Sequence, residues 1–146
     1  MTGGLRPGEE RHRSREAALQ MLYAWEIGHL AADDLAEAYW TEHGATLGLT
    51  ARGRAFADRL AQGTIAHVEA LDPLIAAAAE HWRLSRLAVI DRLILRLAVY
   101  EIRHEPETPA AVVIDQALEL ARTYSGEDAV RFVNGVLDAI RKTLAG

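Results

Sequence analysis

The segment LSRLAVIDRLILRLAVYEIRHE, Leu84 to Glu105, leaves this chain few folds to choose from. At about 100° per residue, Leu87, Ile90, Leu93, Ile94, Leu97 and Tyr100 fill a wide apolar arc. Asp91, Arg92, Arg96 and Arg103 lie on the other side. A helix this apolar has to be surrounded by other helices, so the segment belongs at the centre of a bundle. The same periodicity recurs at both ends of the chain. Ala18, Met21, Leu22 and Trp25 form a stripe in a first helix expected over Arg11–Ile27. Ala129, Phe132, Val133, Val136, Leu137 and Ile140 form another in the last helix.

Between them the start and stop signals predict further helices. One begins near Asp33. One runs from Ala51 to about Ala70, with Thr50 as its cap. One starts with Asp72 as cap and Pro73 at the first position, and reaches about Trp82. One follows Thr108-Pro109 and ends near Tyr124, before Ser125-Gly126. No stretch alternates as a strand does. The prediction is an all-α domain of six to seven helices over residues 11–146. Residues 1–10, with three glycines and a proline, are expected to form a flexible arm.

Composition excludes several functions. The chain has no cysteine, so disulfides, thiolate metal sites and cysteine nucleophiles are out. Its six histidines are scattered without a metal-ligand spacing, so no metal is expected. There is no nucleophile–base constellation, and no glycine-rich phosphate loop follows a strand. The expectation is a non-enzyme without cofactor. No apolar run reaches the ~18 residues of a membrane span, and no apolar signal region opens the chain, which predicts a soluble, cytoplasmic protein. The formal net charge is -5, whereas proteins that coat nucleic acid are strongly basic. Any nucleic-acid contact must therefore be local, and RHRSR at 11–15 is the place for it.

For a helix starting at Arg11, that run opposes the helix dipole at ~0.3–1 kcal/mol per exposed charge. A nearby anion relieves the conflict, and the free N–H groups of a helix start favour one too. An RNA phosphate suits both features. Arg15 falls about 40° from Arg11 on a helical wheel, close to Ala18 and Leu22, so both arginines continue the core stripe beyond the end of the core. His12, Glu16, Leu19 and Tyr23 form a second face. The competing reading is a solvated charge run with Tyr23 in the core.

In the last helix, Phe132 sits at the border of the apolar stripe, beside Asp128 and Arg131. It is either plain core, with Asp128 favouring the helix N-terminus, or a base contact with a carboxylate acceptor next to it. Asp91, on the polar side of the central helix, reads as a solvated charge. Glu101 falls in the middle of the apolar arc, where a carboxylate needs partners. The amides of the helix after Pro109 are available, so Glu101 reads as a structural clamp. Gly135 costs ~1 kcal/mol relative to alanine in a helix. Close helix approach explains it, with Asn134 bonding across the contact.

Three blocks resemble the NusB family of bacterial transcription antitermination factors: RHRSREAALQMLYAWE, IDRLILRLAVYEI and TPAAVVIDQALELARTYSGEDAVRFVNGVLDAI. The most specific run is Phe-Val-Asn-Gly-Val-Leu-Asp at 132–138. The middle, about 28–80, matches only in hydrophobic pattern. The resemblance implies two small packed helical bundles, here about 11–70 and 71–146. It implies binding of single-stranded boxA RNA in ribosomal RNA leaders, with the ribosomal protein NusE as partner, and assembly with other Nus factors on RNA polymerase. Arg11, His12, Arg13 and Arg15 match the arginine-rich RNA segment, though His12 stands where an arginine is common. Asp128 and Phe132 match positions at the RNA site, with Arg131 beside them. Tyr23 and Asp91 match positions at the NusE interface. The alternative is a protein-only interaction module, or a homodimer that hides its RNA face.

Overall fold

The computed structural model describes residues 4–80 and 87–145. The expected extension of one helix to Trp82, and the beginning of the central segment at Leu84, lie outside them. Among the described residues are seven α-helices, one short 3-10 turn and no strand. They are α1 (Pro7–Glu26), α2 (Leu35–Leu47), α3 (Ala51–Ala66), α4 (Val68–Ala78), α5 (Val89–His104), α6 (Ala110–Tyr124) and α7 (Glu127–Ala145), with the 3-10 turn at Ala32–Asp34 before α2. The chain divides into two compact units, Met1–Ile65 and Ala66–Gly146.

In the first unit α1 packs on α2. Its buried residues include Ala18, Met21 and Leu22 of the predicted stripe, with Leu35 and Tyr39 of α2 and Phe56, Ala57, Leu60 and Ala61 of α3. Polar clamps hold α1 to α3. The Ser14 hydroxyl lies 2.9 Å from the Gly53 carbonyl and 3.0 Å from the Glu10 carbonyl, both acceptors for its one proton. The Glu10 carboxylate accepts the Thr50 amide at 2.6 Å, and the Thr50 hydroxyl accepts the Gly53 amide at 3.1 Å. Thr50 is therefore the cap of α3, as its position before Ala51 predicts. A Cβ at Gly53 would stand 2.7 Å from Glu10 Oε2, which explains a glycine in the first turn of a helix.

In the second unit α6 packs along α5 and α7, and α4 packs on both α5 and α7. Every residue of α5 from Leu93 to Glu101 is buried. Its polar side is covered only in part: Arg96 is buried against Asp72 and Asp91 is buried too, while Arg92 is half-buried and Arg103 exposed. The apolar arc was wide enough to predict a central helix. It could not show that two of the charges opposite are covered as well.

Three boundaries differ from expectation, the first being α3, which ends at Ala66 and not near Ala70. The start predicted at Asp72-Pro73 lies inside a helix: α4 begins at Val68, and Pro73 is its sixth residue. Pro73 and Glu69 are both exposed, so water takes the carbonyl that loses its helical donor. Asp72 is no cap, because its carboxylate is held by Arg96. The first helix begins at Pro7, within the stretch expected to be an arm.

Candidate nucleic-acid interface

The earlier start of α1 changes the electrostatics of the arginine run. The first turn holds Pro7 at the first position and carries Glu9 and Glu10, so carboxylates occupy the positive end of the dipole. Arg11, His12, Arg13 and Arg15 sit in the second and third turns, where the dipole penalty has faded. The conflict that a helix starting at Arg11 implies is absent.

The four basic residues do not behave alike. Arg13 is exposed, and Arg11 and His12 are half-buried. Arg15 is 4% exposed and does not project past the core. It stands over Phe56 of α3, its guanidinium carbon 5.5 Å from the ring centroid. Arg11 covers the same ring at 4.2 Å, and Arg59 of α3 at 5.3 Å. Phe56 is buried beneath these guanidinium groups. Arg11 and Arg59, but not Arg15, border a cavity of about 620 Å³ that is also lined by Glu10, Arg52 and Phe56.

Sequence reasoning missed Arg52, Phe56 and Arg59. A signal was there. The spacing i, i+4, i+7 sets all three on one face of α3.

In the second unit Asp128, Arg131 and Phe132 form one patch on the first turns of α7. Asp128 and Arg131 are exposed and within ion-pair distance, 3.7 Å apart. Phe132 is half-buried at the edge of the core, between the two alternatives its position left open. Asn134 is exposed and Gly135 half-buried, so the close approach expected at Gly135 brings no buried amide with it. Glu101 is fully buried, as its place in the apolar arc predicts.

The two residues matched to a partner face also part ways. Tyr23 is 47% exposed on α1, with exposed Ile27 one turn on. It is not core. Asp91, in the first turn of α5, is 8% exposed, and its Oδ1 has no hydrogen-bond partner among the described residues. Among those residues there is also no cluster of acidic and histidine side chains fit for a metal ion, and no helix long and apolar enough to cross a membrane.

Comparison with known proteins agrees with this architecture. Residues 12–142 match the model of the NusB family. The transcription antitermination protein NusB of Sorangium cellulosum is 44% identical over 134 residues, covering 92% of this chain and 93% of that protein. The structure of NusB from T. maritima superposes with a TM-score of 0.77 at 36% identity, over 90% of each chain. A crystal structure of the antitermination factors NusB and NusE in complex with dsRNA superposes with a TM-score of 0.79 at 28% identity, over 92% of this chain and 97% of that one. With the matched span running from His12 in the arginine-bearing first helix through Phe132 in the last, the chain belongs to the NusB family.

Proposed function

We propose that this protein is a transcription antitermination factor. It binds single-stranded boxA RNA of ribosomal RNA leaders together with the ribosomal protein NusE, and the pair joins RNA polymerase with other Nus factors. The observation that carries this reading is family membership over nearly the whole chain, from residue 12 in α1 to residue 142 in α7. The protein acts by binding, in the cytoplasm, with no chemical step of its own.

The residues divide the work by their chemistry. Arg11 and Arg13 contact phosphates, which gives affinity and salt dependence but little sequence choice. Phe132 stacks on a base and Asp128 accepts from a base amino group, which is how unpaired RNA is read. Tyr23 presents an aromatic ring to NusE.

The test is binding of a labelled boxA-like RNA, with and without NusE, across salt concentrations. Binding that tightens with NusE and falls with salt is expected. Absence of binding even with NusE present leaves a protein-only module, or a homodimer with its RNA face covered.

A further inference from the structure

We propose that the cavity between α1 and α3 in the first unit is a second phosphate-binding site for the RNA chain, in which Arg52 and Arg59 of α3 act together with Arg11. The inference rests on the RNA-binding function proposed above and extends the contact beyond α1.

Three observations carry it. First, cations outnumber carboxylates in the lining of the cavity. Arg11, Arg52 and Arg59 line it against a single carboxylate, Glu10. That carboxylate is already engaged, by the Thr50 amide at 2.6 Å and by its seat on Gly53. In a chain of net charge -5, such a local excess of cations is a selective place for an anion. Second, Phe56 holds the cations. A guanidinium over an aromatic ring engages it through its flat face, and its N–H groups donate within its own plane. Arg11 and Arg59 stand 4.2 Å and 5.3 Å from the ring centroid, so both heads gather beside one ring. Third, the space suits more than one ion. A cavity of about 620 Å³ lies within the size range of small-molecule sites. Arg11 belongs both to it and to the α1 arginine run, so a phosphodiester chain following α1 continues into the cavity without a break in positive charge.

Arg52 and Arg59 are both exposed, so their replacement leaves the fold intact. Binding of labelled single-stranded boxA-like RNA, with NusE present, is measured at several salt concentrations. The proteins compared are wild type, Arg52→Gln, Arg59→Gln, Arg59→Lys and, as control, Arg141→Gln, exposed near the C-terminal end of α7. Arg52→Gln and Arg59→Gln are each expected to weaken binding several-fold on every RNA sequence. Each should also lower the salt slope by ~0.7, the value for one phosphate contact on a single strand. Arg59→Lys should restore most of the loss, and Arg141→Gln should change nothing. A parallel titration with sodium tripolyphosphate, followed by amide shifts, separates an RNA phosphate from a free polyphosphate.

Wild-type affinity and slope in both Gln variants overturn the inference and leave the proposed function standing. If tripolyphosphate then still shifts the amides around Gly53, the cavity is a site for free polyphosphate and not for RNA. If wild type binds no RNA, the inference falls together with the function.

Discussion

Arg96 grips Asp72 with both prongs of its guanidinium: Nε donates to Oδ1 and Nη2 to Oδ2, each at 2.8 Å. The pair joins α5 to α4 directly ahead of Pro73, where α4 lacks one helical hydrogen bond. The two ends are unequally covered. The Arg96 side chain is 9% exposed and that of Asp72 41%. Removing Asp72 takes the bidentate acceptor from a buried cation, whereas removing Arg96 leaves a carboxylate that water reaches. Asp72→Asn should therefore cost ~2–3 kcal/mol, and Arg96→Met, which keeps the volume, under ~1 kcal/mol. Urea denaturation of the two variants checks the order. Equal losses would show that the stem of Arg96, not its charge, holds the contact.

Gly53→Ala should destabilise the first unit by ~1–2 kcal/mol. The new Cβ displaces Glu10, which then loses the Thr50 amide. Glu10→Ala removes the obstacle. The double variant should therefore be less destabilised than the sum of the single ones, a coupling read by a double-mutant cycle. Strict additivity would mean that Glu10 moves aside freely.

His104 stacks on Tyr100 with ring centroids 4.7 Å apart and meets the tilted ring of His67 at 4.4 Å, the three rings forming a cluster. Burial under these rings, and then the nearby His67 and Arg103, push its pKa below the ordinary 6.5, against a small opposing effect of Glu105. A lowered pKa means that the folded state disfavours the proton. The contribution of His104 to stability is thus complete above pH 6.5 and lost as pH falls through the lowered value. A ring-proton NMR titration should give a midpoint below 6.5, and His67→Gln should raise it. A midpoint at 6.5 or higher rules this out.

Phe132→Ala should weaken RNA binding by ~1–3 kcal/mol, the worth of one stacked base, and relax sequence preference. Arg13→Ala should weaken binding evenly across sequences and reduce the salt slope. Anisotropy titrations on matched and scrambled RNAs separate the two behaviours. A uniform loss in both variants would leave Phe132 as core only.

Tyr23→Ala should leave the melting temperature within a degree or two, since the ring is half in water, but weaken the association with NusE. Calorimetric titration with NusE reads this directly. A large fall in melting temperature would place the ring in the core after all.

The fold was legible because helical periodicity is a local signal. The stripe of Ala18, Met21 and Leu22, the arc of Leu93 and Ile94, and the Val133–Ile140 face all emerged buried. Charged positions were less legible. Arg15, Arg96 and Asp91 are buried by elements distant in sequence, and periodicity reports only which way a residue faces, not what covers that face. Pro73 misled for a related reason. Proline is common at a helix start, yet the Arg96 contact on Asp72 and the solvent at Glu69 allow it in the middle. The cavity on α3 was visible as spacing, but only the side-chain geometry shows Phe56 as the ring on which three arginines converge.

The position of Pro7 bears on how fast the protein meets its ligand. Arginine-rich segments are often disordered until they bind, and ordering the backbone then costs ~1–2 kcal/mol per residue. Here Arg11 to Arg15 lie within a helix already wound for a full turn ahead of them and clamped to α3 at Ser14. The conformational entropy was surrendered when the chain folded. Encounter with RNA thus engages a preorganised row of cations, with no coil-to-helix transition to slow it.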